Sequence, residues 1–281
     1  MNRRALSPIV AVVLMFALIT AAIGISLVYM LPNITKFKDK SYNNSNNLYF
    51  TALDSAIQDL IEGSAPSSSQ FLFVQEEGTL QLDFKWNFIF LLKDITGAQT
   101  SLLLQDNVSR ITHRSTATAD YEIGEHRYIV GPENQDYLFL NGSHTVYNDI
   151  AVVNSSRAAY ESTYLELALY YRYSLITEYE TTASEEIYHL DIIHVKFVLE
   201  ESTLISNSQK YINMKLTYQG TEKQNLGTIG YFNDVQGEIT LLNQYNYRLY
   251  EYPIYFPANP SYTTHSVVAN LINIIVGISL S

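Results

Sequence analysis

From Leu6 to Leu31 the chain carries no charged residue, a run of 26 positions. As a helix it measures roughly 39 Å at about 1.5 Å per residue. A bilayer core of about 30 Å needs only about 20 apolar residues. So greasy a helix is stable in lipid, where its backbone bonds are internal. Outside lipid it must pack against other apolar helices, because each large side chain removed from water contributes roughly 1.5–3 kcal/mol.

Charge divides the 281 residues at the same place. Residues 1–40 hold Arg3, Arg4, Lys36, Lys38, Lys40 and a single acid, Asp39, for a net +4. Residues 41–281 then carry −15 of the chain's −11 total. Two such parts belong in different surroundings. The acidic balance argues against binding the phosphate backbone of nucleic acid, which calls for clustered Lys and Arg. The chain has no cysteine, so disulfides, zinc–thiolate sites, iron–sulfur clusters and cysteine nucleophiles are excluded together.

The opening segment admits several readings. A secretory signal has an apolar region of about 7–15 residues before its cleavage site. Thr20-Ala21-Ala22 mimics such a site, but Ile23 to Leu31 stays apolar beyond it. Arg3-Arg4 is followed by Ala5-Leu6-Ser7, which is not the twin-arginine pattern. A plain signal anchor fits the length, with Arg3 and Arg4 inside and the acidic body exported.

Finer detail favours another reading. Arg3-Arg4, the small residue Ala5, then Leu6-Ser7-Pro8 and an unbroken apolar stretch resemble the class III signal peptide of archaeal type IV pilins and archaellins. The resemblance covers residues 3–31. It implies cleavage between Ala5 and Leu6 by a prepilin-type peptidase, with the hydrophobic helix retained. Bacterial pilins carry Glu at the fifth mature position, which is Val10 here, so the archaeal branch is the better match. Ser7 is placed to cap the helix and Pro8 suits its first turn. Ala11, Ala17, Ala21, Ala22, Gly24 and Ser26 offer small surfaces for close helix approach, with Ala17/Ala21 and Ala22/Ser26 at small-xxx-small spacing.

Pro32 is expected to end or kink this helix. A polar stretch, Asn33 to Asn47, follows. Phe50, Leu53, Ile57, Leu60 and Ile61 then recur at helical spacing, so 48–62 reads as an amphipathic helix lying on a core. Beyond the turn residues Ser64–Ser69 the pattern becomes strand-like. Candidates are 71–74, 88–92, 101–105, 126–130, 137–140, 150–153, 164–173, 187–199, 211–218, 238–242 and 247–252, with bulky groups on both faces of 187–199. Turn signals fall at Glu77-Gly78, Asn141-Gly142, Gln219-Gly220 and Gln236-Gly237. The charge-free end, Val267 to Leu280, is rich in β-branched residues and reads as a buried strand rather than a helix. The expected fold is α+β: a long N-terminal hydrophobic helix followed by a mainly antiparallel β-sandwich head. The expected division is 1–5 leader, 6–31 membrane or filament-core helix, 32–64 polar connector and amphipathic helix, and 65–281 extracellular domain.

No pattern for chemistry stands out. His189 and His194 lie five apart, on opposite faces of a strand. Zinc, phosphate-loop, nucleophile-elbow and calcium-loop spacings do not occur. The acid pairs Glu76-Glu77, Glu185-Glu186 and Glu200-Glu201 flank strands and read as solvated loop ends. Tyr245, Tyr247, Tyr250, Tyr252 and Tyr255 crowd one segment; half-buried strand positions account for them, and subunit contact is a better use than a sugar site. Asn33, Asn43, Asn107, Asn141 and Asn154 begin N-glycosylation sequons; chance would give nearly as many, and Asn141 before Gly142-Ser143 reads as the best loop acceptor. Neither an enzyme, a cofactor nor a metal site is expected.

The resemblance implies a structural subunit of an archaeal extracellular type IV pilus-like filament, for adhesion or surface attachment. Its partners would be copies of itself, the prepilin-type peptidase, the membrane assembly machinery and, before assembly, the membrane. The alternative is a single-pass membrane-anchored ectodomain that binds surface ligands or partners.

Overall fold

The computed structural model describes residues 8–63, 68–74, 77–94, 100–131, 139–141, 150–159, 163–200, 210–231, 235–242 and 248–281. One helix, α1 (Pro8–Ile61), joins the apolar run to the amphipathic segment and is roughly 81 Å long at about 1.5 Å per residue. Pro8 opens it, where a missing N–H costs nothing. The helix does not end at Pro32; it continues through it and through 33–47. Proline's fixed φ is compatible with a helix, and its cost is one ladder bond. Side chains beside it bond back onto the preceding turn. Asn33 Nδ2 donates to the Tyr29 carbonyl at 3.0 Å and Thr35 Oγ1 to that of Leu31 at 3.1 Å.

Thirteen strands follow among the described residues: β1 (Ser68–Val74), β2 (Thr79–Asp94), β3 (Thr100–Ser115), β4 (His126–Val130), β5 (Phe139–Asn141), β6 (Ala151–Ser156), β7 (Leu165–Tyr171), β8 (Tyr173–Thr181), β9 (Glu185–Leu199), β10 (Tyr211–Tyr231), β11 (Val235–Leu242), β12 (Arg248–Phe256) and β13 (Thr264–Leu280). They form two curled sheets, ordered β1-β10-β13-β9-β8-β5 and β12-β11-β2-β3-β7-β6-β4. Most pairs are antiparallel; β13/β9 and β5/β8 are parallel. The head is thus the expected β-sandwich-like domain, and the charge-free end is a strand near the middle of the first sheet.

Three local readings need correction. The 164–173 segment is not one strand. It breaks at Arg172, whose N–H donates to the Ile150 carbonyl at 2.6 Å; β7 belongs to one sheet and β8 to the other. Gln219-Gly220 is not a hairpin turn but a bulge inside β10, where the register against β13 shifts and Gly220 takes φ +114°. Gln236-Gly237 lies within β11. Gly237 is buried there, and a Cβ in its place would come within 3.1 Å of the Phe90 ring and 3.3 Å of the Phe256 ring.

Both faces of the central strands are covered, which explains the apolar residues of both parities along β9. One face belongs to a cluster built around the helix: Phe50, Leu53, Ile57 and Leu60 pack with Phe73, Tyr171, Val195, Phe197, Met214 and Val276. The other carries Phe88, Phe90, Tyr170, Tyr173, Leu190, Ile192, Phe256 and Leu271. The last third of α1 is therefore core, not an appendage.

Candidate functional site

The two ends of α1 live differently. From Val10 to Lys38 every residue is exposed, on all sides of the helix. Ala11, Ala17, Ala21, Ala22, Gly24 and Ser26 all lie on this free stretch. Among the described residues it belongs to the one helix long and apolar enough to cross a membrane. Ala5 and Leu6 lie outside the described residues.

At Asp39 the helix meets the head. The Asp39 carboxylate accepts from the Ala119 N–H at 3.2 Å, and Asn43 Nδ2 donates to the Ala117 carbonyl at 3.0 Å. Lys38 Nζ pairs with Glu77 Oε1 at 3.0 Å. The buried Tyr42 hydroxyl donates to the Glu77 carbonyl and accepts from the Glu77 N–H at 2.9 Å. His113 Nε2 lies 3.1 Å from the same carbonyl, and burial pushes its pKa down to about 4. About three turns further along, Tyr171 donates to Asp54 across 2.6 Å, and Gln58 Nε2 donates to the other Asp54 oxygen at 2.8 Å. Burial raises the Asp54 pKa despite these two donors. The void beside this junction, lined by Asn43, Asn46, Asn47, His113, Ser115 and Ser155, holds about 10 Å³. That is room for about one water and not for a ligand. The junction ties α1 to the head from Lys38 onward.

Charge networks inside the head serve structure too. Arg110, buried under the Trp86 ring at 4.2 Å, pairs with Asp83 and, at 3.3 Å, with Glu166. Glu166 also holds Arg114 at 2.8 Å. This cluster ties β2, β3 and β7, and nothing in the spacing of its residues announced it. Glu186 is not a solvated loop end. It is buried and accepts from the Asn259 N–H at 3.0 Å, with His265 Nε2 at 3.2 Å. His194 is buried, flat against the Tyr173 ring at 4.1 Å, and Tyr173 stacks in turn on Phe88 at 4.4 Å. Burial lowers the His194 pKa to about 3. His189, on the other face of β9, is partly exposed beside Glu180 at 3.2 Å. No group of three or more acidic or histidine side chains fit to hold a metal occurs among the described residues.

The sequons separate by burial. Asn33 and Asn107 are exposed. Asn43 and Asn154 are buried, so neither can carry a glycan without opening the fold. Asn141 lies in β5, with its side chain outside the described residues. Of the tyrosine cluster, Tyr255 is exposed; the side chains of Tyr245, Tyr247, Tyr250 and Tyr252 lie outside the described set.

No protein-family model, curated protein or solved structure matches this chain.

Proposed function

We propose that the chain is the structural subunit of an archaeal type IV pilus-like filament on the cell surface, serving adhesion or attachment. One observation carries this reading. From Val10 to Leu31 the apolar helix is exposed on all sides, and its small residues suit close approach by other helices. Past the polar stretch that follows, Leu48 is 72% exposed, 17 residues beyond Leu31 and roughly 26 Å further along the axis. Lipid cannot cover it there, whereas a neighbouring copy can. In the proposed pathway a prepilin-type peptidase cuts between Ala5 and Leu6. The helix then leaves the membrane for a core of identical helices, where Ala17, Ala21 and Gly24 permit close approach. The junction at Tyr42, Asn43 and Asp54 carries each head along with its helix.

The test is electron microscopy of the sheared surface fraction, with N-terminal sequencing of its protein. Filaments whose subunit begins at Leu6 are expected. A subunit that begins at Met1 or beyond Ala22, or one that stays with the membrane after shearing, overturns the proposal. The last outcome favours the anchored ectodomain.

A further inference from the structure

We infer that Lys36 and Lys40, with the apolar surface beside them, form a docking site for the anionic headgroup of a membrane lipid. The inference rests on the membrane-inserted precursor of the preceding section, not on filament assembly.

Depth comes first. Lys36 and Lys40 follow the end of the apolar run by five and nine residues, roughly 7.5 and 13.5 Å. The headgroup layer extends about 5–7 Å beyond the hydrocarbon on each side. Helical side chains lean toward the helix N-terminus, here toward the bilayer. A lysine stem has length enough to bring the more distant ammonium back to phosphate level.

The second argument is how the helix sorts its charges. Lys38 and Asp39 turn to the head and are engaged there by Glu77 and the Ala119 N–H. Lys36 and Lys40, one turn apart on the same face, are exposed and meet no partner among the described residues. Lysines at the exported end of a span run against the usual bias toward the cytoplasmic side. They stand beside a body, residues 41–281, whose net charge is −15.

Third, the neighbouring surface suits the other half of a lipid. Met30, Asn33, Ile34 and Phe37 form a shallow, open and mainly apolar surface on one side of the helix. Phe37, 78% exposed, sits between the two lysines in sequence. The Met30 end of this surface lies within the apolar run, beside which the upper part of an acyl chain would lie in the inserted precursor. A basic pair above an apolar surface matches a phospholipid better than a free anion or an acidic protein face.

The experiment uses the full-length chain in bilayer nanodiscs of mixed phosphatidylglycerol and phosphatidylcholine, with retained lipids counted by native mass spectrometry. The chain should retain phosphatidylglycerol over phosphatidylcholine. K36Q/K40Q should lower that preference by about fivefold per lysine removed, as expected for basic residues at an anionic surface. K38Q should leave it unchanged, and F37A should reduce retention without altering charge. Equal retention of both lipids, an unaltered preference in K36Q/K40Q, or displacement of the lipid by inorganic phosphate alone each overturns the site. If K36Q/K40Q loses filaments while keeping the lipid preference, the lysines serve a neighbouring copy and the lipid site is refuted. A chain that fails to enter nanodiscs refutes membrane insertion as well. Absence of filaments with lipid preference intact refutes only the filament reading.

Discussion

The Tyr171 hydroxyl donates to the Asp54 carboxylate across 2.6 Å, linking β7 to α1 inside the core. Tyr171 is fully buried and its own pKa lies well above the usual value, pushed up first by burial and then by Asp54. The phenol therefore keeps its proton, and the bond keeps its direction, across the working range of pH. This contact fixes how far down the helix the head is seated.

Asp54 should leave a pH signature. Its folded pKa is raised above 3.8, chiefly by burial. The folded chain then binds the proton more tightly than the unfolded chain. The stabilisation is fully present below about 3.8 and is lost as pH rises through the folded pKa. Urea unfolding of the detergent-solubilised chain should show this loss, and Asp54→Asn should lack it. Tyr171→Phe should destabilise by about 2 kcal/mol at neutral pH, the scale of a hydrogen bond to a charged group.

The buried histidines act in the opposite sense. His113 and His194 have pKa values lowered by burial to about 4 and about 3, against 6.5 when unfolded. Below 6.5 the unfolded chain takes up protons that the folded chain refuses. Stability should fall by about 1.4 kcal/mol per pH unit for each histidine until the folded pKa is reached. His194→Phe preserves the stack on Tyr173. Its loss of stability between pH 7 and pH 5 should be smaller than that of the unaltered chain by about 2 kcal/mol, measured by urea unfolding at each pH.

Two glycines with similar backbone should behave differently. Gly78 has φ +105°, and a Cβ there would lie 2.1 Å from the Arg114 carbonyl oxygen. Gly220 has φ +114° but open space around the same atom. Gly220→Ala should cost only the backbone strain, about 1–2 kcal/mol. Gly78→Ala must also displace backbone next to the Tyr42–Glu77 bond and should cost well above about 2 kcal/mol. Thermal unfolding of the two variants compares them directly.

Function should separate from folding at Ala17. This residue is exposed and about 33 Å along the helix from Asp39, where the head begins. Ala17→Glu should leave the circular dichroism and protease resistance of the head unchanged while abolishing filaments. Normal filaments in that variant would count against an assembly core made of α1.

Glycopeptide mapping offers a last check. No N-glycan should be found on Asn43 or Asn154, which are buried in the fold, whereas Asn107 is exposed.

Much of this was legible in the sequence. Periodicity placed Phe50, Leu53, Ile57 and Leu60 on one helix face, and they are the face that enters the core. Alternation and β-branching located most of the strands, including the charge-free last one but not β8 beyond Tyr173 or the second half of β10, because each side chain's sidedness is set by the local backbone period. The 26-residue apolar run determined by itself that part of α1 could not remain in water.

Other features came only with the tertiary structure. Glu186, Asn43, Asn154 and Arg110 look like surface residues in any local window, yet partners distant in sequence bury them. Pro32 looks like a stop, yet the helix passes through it. Leu165 to Tyr173 alternates as one strand, yet Arg172 divides it between two sheets. Local sequence governs which way a side chain points. What covers that side chain depends on strands brought alongside from far along the chain, through contacts that no short window of sequence contains.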